Sequence, residues 1–352
     1  MGNHIFEPIT TPNGHFGGWK LAQVLDRPYL SRILRGHLPP EHPTLNHSRN
    51  LKRHYEIHGT LANTSVAALP DTGSGHNILS LAFANEHKLN VDQSAKVNFL
   101  LPSGQMTRSV GSVKVTWSFL GESKPLDIIF DVLPRCTHPV ILGKEFLKLT
   151  RTLTHLAQRI KSKLLPVSAQ QGVRLLGRQN ERVLGLLEGR PVTAVPDTGS
   201  DVMLISKAYA IQHNYQILKD QHLRSELEFA DGSRAITSGI IPDLRWRFGS
   251  SDQDFWCDFH VLDDLVESIV LSNDFLFGTD AFSVYAPSFY DEDVLTPELV
   301  YELSLVKQIS WLGESFRRVF RRTAVTGTHS PRSDFTRLST WLTNFSTSGP
   351  RR

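Results

Sequence analysis

Two short acidic turns, Asp71-Thr72-Gly73-Ser74 and Asp197-Thr198-Gly199-Ser200, are the residues of this chain whose types and setting could do chemistry. Each follows an apolar run that closes on a proline, Pro70 or Pro196. An aspartate at a strand end, on a turn that glycine permits, presents one carboxylate at a fixed place. One carboxylate alone is a poor catalyst of amide hydrolysis. Two brought within hydrogen-bonding distance cannot both ionise easily, so they share a proton. The ionised member can take a proton from water, while the protonated one polarises a carbonyl and later protonates the leaving amine. Such a pair titrates as a unit, so neither Asp71 nor Asp197 is assigned the acid or the base.

A single Asp-Thr-Gly is an ordinary turn. Here the context recurs as well. Residues 59–80 and 185–206 align at one constant offset, sharing Gly, Leu, Val, Ala and the whole Pro-Asp-Thr-Gly-Ser run. With small slips the match continues: Gly104 and Gly111 answer to Gly232 and Gly239, and Trp117-Ser118-Phe119 to Trp246-Arg247-Phe248. Val132-Leu133 answers to Val261-Leu262, and Ile141-Leu142-Gly143 to Val270-Leu271-Ser272. Self-similarity of this length predicts two copies of one supersecondary unit.

The elements that must position the turns are mostly strands. β-rich runs between turn residues predict strands over 55–61, 66–69, 97–101, 112–119, 126–132 and 139–142. Pro102-Ser103-Gly104 and Asp231-Gly232-Ser233 are hairpin-turn signals. After Gly143, the residues Phe146, Leu147, Leu149, Leu153, Leu156, Ile160 and Leu164 fall at helical spacing, which predicts a helix leading out of the first unit. The chain is therefore divided into an N-terminal extension, 1–54, partly disordered; a first unit, 55–150; a partly helical linker, 151–182; a second unit, 183–285; a C-terminal helix, 286–322; and a basic flexible tail, 323–352. Thr296-Pro297-Glu298 carries the start signals of that last helix.

Composition bounds the function. No apolar run is long enough for a bilayer, so no membrane partner is expected. Residues 1–6 have no apolar signal core, and Phe6 stands where a myristoylation motif wants Ser or Thr. Cys136 and Cys257 fall at non-equivalent places in the two copies, which fits a reducing, intracellular and cytoplasmic setting better than a disulfide framework. A net charge of +3 is too small to imply nucleic acid. From Leu303 onward nine Lys/Arg face two acids, the pattern of a solvated tail. The histidines of the N-terminal loop are irregularly spaced and lack acidic or thiol partners; neither they nor the paired acids Asp127/Asp131 and Asp254/Asp258 read as a metal site. No cofactor is expected. Trp117/Phe119 and Trp246/Phe248 read as core, and His87 and His213 as helix-surface residues.

With these motifs in view, the chain resembles the retroviral-type aspartic proteases, or retropepsins. The shared pattern is a strand ending in Asp-Thr-Gly-Ser, a glycine-bearing hairpin, then two apolar residues and Gly before a short helix. The resemblance covers roughly 55–150 and 183–285, and it is nearest to retropepsin-like proteins of filamentous fungi. It implies a mainly β fold in which two tandem acid-protease-like β-barrel units form a pseudo-twofold pair, with flanking helices and flexible termini. It implies an aspartic endopeptidase acting on a peptide or protein substrate, with Asp71 and Asp197 as the catalytic pair. Thr72 and Thr198 would grip the opposite loop, and Gly73 and Gly199 would lie against the carboxylates. Ser74 and Ser200 match a Ser-or-Ala position, where a hydroxyl donating to the carboxylate would favour an acidic optimum.

Departures from the pattern set further expectations. Pro70 and Pro196 lose an N–H but keep the carbonyl that a threonine grip needs. Ser272 stands where the first copy has Gly143, so a distorted loop is expected there. Residues 110–113 and 238–241 are the flap candidates. A catalytically silent, retroelement-derived interaction module is the alternative function, and pairing between copies in a homodimer is the alternative assembly.

Overall fold

Strict alternation writes the central strands. Along β6 (Gly111–Phe119), Val113, Val115, Trp117 and Phe119 point inward while Lys114 and Thr116 face solvent. The computed structural model describes residues 51–166 and 170–292, which belong to one compact unit. Its first sheet contains β1 (Leu51–Leu61), β2 (Thr64–Asp71), β3 (Asn77–Ser80), β6, β7 (Leu126–Leu133), β8 (Val140–Gly143) and β9 (Ile160–Pro166). Their order is β2-β8-β3-β7-β6-β1-β9, and β2 also pairs with β1, so the sheet curls back on itself.

The second sheet contains β11 (Glu181–Leu187), β12 (Arg190–Pro196), β13 (Leu204–Ser206), β16 (Gly239–Phe248), β17 (Asp254–Leu262), β18 (Ile269–Leu271) and β19 (Phe289–Asp291). Its order, β12-β18-β13-β17-β16-β11-β19 with a β12–β11 pairing, follows the first strand for strand. The fold is mainly β, as expected. Two hairpins stand apart from these sheets: β4 (Asn98–Leu100) with β5 (Met106–Arg108), and β14 (Glu226–Phe229) with β15 (Arg234–Ile236). A short strand, β10 (Gln170–Val173), runs parallel to β14.

Local chemistry explains the turns and the close approaches. β1 and β2 meet through Ala62-Asn63, both at positive φ, and β11 and β12 through Glu188-Gly189, also both positive. Two-residue hairpins need this backbone to match strand twist. Gly59 and Gly185 let an indole lie on the neighbouring strand, because a Cβ at either would collide with Trp117 or Trp246. In β16 the ladder slips between Ile241 and Leu244, where Pro242 has no N–H to give and Asp243 adopts φ 55°.

Several expectations need correction. The helix after Gly143 spans only Lys144–Leu149; Arg151 turns to φ 54°, and Ile160–Pro166 is strand β9, paired with β1 from Leu51↔Pro166 to Ile57↔Ile160. β9 is an edge strand largely exposed on both faces, so its apolar residues carry no alternation. Residues 51–54, assigned to the extension, continue β1. The start of the expected 286–322 helix is instead a 3-10 turn, Ala286–Ser288, followed by β19 on β11. Residues 1–50 and the remainder of that helix and tail lie outside the described residues. Among the described residues no helix is long and apolar enough to cross a membrane.

Candidate active site

Asp71 ends β2, opposite Gly143 at the end of β8, and Asp197 follows β12, its N–H donating to the Leu271 carbonyl at 3.0 Å. Each turn therefore hangs from two parallel strands fixed inside its own sheet. The turns meet face to face. Thr72 Oγ1 donates to the Pro196 carbonyl at 2.7 Å and accepts from the Thr198 N–H at 3.0 Å. Thr198 Oγ1 donates to the Pro70 carbonyl at 2.9 Å and accepts from the Thr72 N–H at 2.9 Å. Four buried hydrogen bonds thus lock one loop to the other, and the two prolines supply only the carbonyls that the lock needs.

This crossing brings the carboxyl groups together. Asp71 Oδ1 accepts from Gly73 N–H and Asp197 Oδ1 from Gly199 N–H, both at 2.8 Å. A Cβ on Gly73 would collide with the Asp197 carboxylate, and one on Gly199 with that of Asp71, so only glycine permits the approach. Both aspartates are fully buried. No N–H or O–H of the described residues reaches Oδ2 of either, while the two carboxyls lie within hydrogen-bonding reach of each other. A proton held between them would satisfy both oxygens. Burial, and then the charge of Asp197, push Asp71 well above the usual carboxylate range; burial also raises Asp197. A pair so placed can hold one proton near neutrality, with one carboxylate to accept and one carboxylic acid to donate.

Ser74 and Ser200 do not play the expected part. Their hydroxyls donate to the His76 and Val202 carbonyls, at 2.7 and 2.8 Å, and so bend their own loops instead of charging the pair. With burial dominant, the expected acidic shift is reversed. The Ser74 and Ser200 carbonyls accept from Lys144 N–H and Asn273 N–H, at 2.7 and 2.8 Å, which ties each turn to the helix behind it. Ser272 causes no distortion: its φ −81°, ψ 165° nearly equal the −79°, 167° of Gly143. A Cβ fits beside Met203, whose sulfur accepts the Ser272 N–H at 3.2 Å, but at Gly143 it would strike the His76 carbonyl.

The flap candidates are corrected too. Residues 110–113 and 238–241 lie at the starts of β6 and β16, where Val110 and Ser238 donate to Val132 and Val261 of the adjacent strands. The projecting parts are the hairpins β4–β5 and β14–β15, whose turns carry Gly104 and Gly232 at φ 78° and 79°. Each tip crosses to the other half: the Pro102 carbonyl accepts from Val266 N–H and the Ala230 carbonyl from Thr137 N–H, both at 3.0 Å.

Sequence reasoning missed three residues at the site. Arg174 Nη1 donates to the Gly199 carbonyl at 3.1 Å, and its charge lowers both aspartates against the dominant effect of burial. Gln179 Nε2 donates to the Gly73 carbonyl at 2.7 Å. Asp201, four residues beyond Asp197, is held ionised by Arg174 and Lys52 against its burial. The available signals were the apolar run around Arg174 inside a supposed linker, and an acid where the first copy has Gly75. Trp117, Phe119, Trp246 and Phe248 are core, and His87 and His213 close the helices Leu81–Glu86 and Lys207–Gln212. Among the described residues no group of His, Cys, Asp and Glu is disposed to hold a metal.

A family model described as aspartyl protease matches residues 57–146, which include the first acidic turn but not the second. Among solved structures, the chain is similar to the retroviral protease-like domain of Ddi1 from Leishmania major, at 14% identity over 29% of this chain and 73% of that one, with a TM-score of 0.22. It is also similar to a Legionella pneumophila protein of unknown function, at 12% identity over 29% of this chain and 86% of that one, with a TM-score of 0.18. No curated protein matches the chain.

Proposed function

We propose that this chain is an aspartic endopeptidase, descended from a duplicated unit, that completes its site with Asp71 and Asp197 of one polypeptide. The observation that carries the proposal is the reciprocal threonine lock, which holds two buried carboxyls in contact within one chain. Chemistry would follow from the shared proton. The ionised carboxylate takes a proton from a water molecule, and that water's oxygen attacks the scissile carbonyl carbon. The other carboxyl donates to the carbonyl oxygen. Collapse of the tetrahedral intermediate breaks the C–N bond: the leaving nitrogen takes the proton that the first carboxylate drew from water, and a hydroxyl of the intermediate returns a proton to the other carboxyl as the new C=O forms. The Gly73 and Gly199 carbonyls beside the pair are acceptors for the N–H groups of an extended peptide, which favours a peptide or protein substrate over other amides.

Intrachain pairing favours a site that needs no second copy. Cys136 and Cys257 form no disulfide, which suits a reducing, intracellular compartment. A silent interaction module is the competing reading, favoured by the absence of the second turn from the matched family span. The test is cleavage of a diverse peptide library across pH 3–8 by the unaltered chain, Asp71→Asn and Asp197→Asn. Cleavage abolished by each substitution separately supports the peptidase. Cleavage that survives either substitution, or no cleavage by a chain whose cleft has been emptied of its own polypeptide, rejects it.

A further inference from the structure

The polypeptide that connects the two sheets passes between the hairpins and the acidic loops. At its start β10 pairs with β14 from Gln170↔Glu226 to Val173↔Phe229. Gly172 makes a two-way contact with Asp201: its N–H donates to Oδ2 at 2.7 Å, and its carbonyl accepts the Asp201 N–H at 2.8 Å. Further on, Leu176 N–H donates to the Gly73 carbonyl and Gly177 N–H to the Leu100 carbonyl of β4, both at 2.8 Å. One edge of this segment is thus bound by both hairpins, and the other by both acidic loops. Gly73 lies against Asp197 and Gly199 against Asp71, so residues 173–175 are strung between the two loops that carry the carboxyl pair.

The side chains fill what an extended peptide would fill. Val173, Leu175 and Leu176 are 0%, 3% and 1% exposed, packed in one apolar cluster with Phe99, Leu101 and Phe229 of the hairpins. Arg174 points back to the Gly199 carbonyl, and its Nε donates to His138 Nδ1 at 2.9 Å. Burial lowers His138 to about 3, so that ring is neutral and can accept. A connection that merely joined two domains would not be expected to bury three branched apolar side chains under both hairpins or to use the backbone acceptors beside the carboxyls.

We propose that residues 170–179 are a built-in occupant of the peptide cleft, withholding the carboxyl pair from other chains. The inference rests on reading the cleft as a peptide site. The segment also displays the substrate class: an extended backbone with branched apolar side chains flanking one cation, its N-terminal end on the Asp201 side. Release of the segment, by a partner or by cutting it, then exposes the site.

A labelled synthetic peptide of residues 170–180 tests this by fluorescence anisotropy against the full chain carrying Asp197→Asn, with and without Leu175→Asp/Leu176→Asp. Two buried carboxylates expel the segment. A tethered occupant acts at an effective concentration of the order of millimolar, so for an intrinsic Kd of about 10 μM the expelled form binds on the order of 100-fold more tightly. A folded expelled form that binds no better than its parent overturns the proposal. Amide exchange of the unaltered chain gives an answer even if that variant does not fold. Gly172, Leu176 and Gly177 should exchange faster than β7 and β17, because an occupant leaves without global unfolding; equal rates overturn it. A peptide that binds the expelled form, yet is not cut when both aspartates are intact, keeps the occupant and removes the peptidase.

Discussion

Thr72→Val isolates the contact on which the site geometry depends. The substitution keeps shape and removes one hydroxyl, leaving the Pro196 carbonyl and the Thr198 N–H without partners at a place where Thr72 and Thr198 are 1% and 0% exposed. Each orphaned group costs roughly 1–3 kcal/mol, so the variant should lose about 2–6 kcal/mol. That is a large part of the 5–15 kcal/mol typical of a folded domain. Thr198→Val should cost a similar amount by the same accounting. The double variant should cost less than the sum, because once one hydroxyl is gone the loops part and the other hydroxyl loses alignment; a coupling of about 0.5–3 kcal/mol is expected. Urea unfolding of the four proteins measures it, with Thr72→Ser as the control that keeps the hydroxyl. A Thr72→Val loss below about 0.5 kcal/mol, the level of a surface substitution, would refute the claim that the hydroxyls hold the loops together.

Titration supplies a second expectation. Burial raises Asp197 from 3.8 to about 6, so the folded chain keeps a proton that the unfolded chain has lost, and stability falls as pH rises from about 4 through about 6. Asp71 rises in the same way, so Asp71→Asn and Asp197→Asn together, and neither alone, should flatten the urea midpoint across pH 4–8. The same shift should place the peptidase optimum nearer neutrality than the ordinary carboxylate range, as a pH–rate profile would show. Ser74→Ala and Ser200→Ala should leave that profile's limbs in place, since the hydroxyls serve backbone carbonyls; a limb moved by a full pH unit would contradict this. Gly59→Ala should displace the Trp117 indole, cost roughly 1–3 kcal/mol as overpacking does, and alter the near-ultraviolet circular dichroism.

What could be read from the sequence follows a physical line. Asp71, Thr72 and Gly73 were legible because a tight turn is written in adjacent residues, and its recurrence at 197–199 removed chance. β6 was legible because one face is dry and the other wet, and β7 because it alternates at first and then closes on a buried apolar end. β3 and β10 were missed because Asn77–Ser80 and Gln170–Val173 hold only two and one apolar residues, too few for a pattern, whereas the equally short β8 was legible as a continuous apolar run. β9 was mistaken for helix because, as an exposed edge, it places apolar residues without regard to face. Arg174, Gln179 and Asp201 could not be assigned roles, since each works on a partner that only the tertiary path brings near. Ser272 misled in the other direction. A missing glycine suggests distortion, but glycine was needed only where the His76 carbonyl crowds the turn.

The two halves are nearly equal in backbone and unequal in charge, and that inequality gives the cleft a direction. Asp201 can accept a peptide N–H while offering its own, and does so with Gly172. The corresponding Gly75 has no side chain to accept with. If a peptide follows the path of residues 170–179, the residue in the place of Gly172 makes a two-way contact with Asp201 that nothing at Gly75 can repeat, and a hydrogen bond to an ionised acceptor is worth about 1.5–3 kcal/mol. That difference should make the Asp201 end hold a peptide roughly ten-fold or more tighter than the Gly75 end. Two identical half-sites paired by an exact twofold axis could not distinguish the senses by themselves. Joining the loops in one polypeptide frees each to diverge, so the dyad can stay symmetric where the proton is shared while the walls around it become directional.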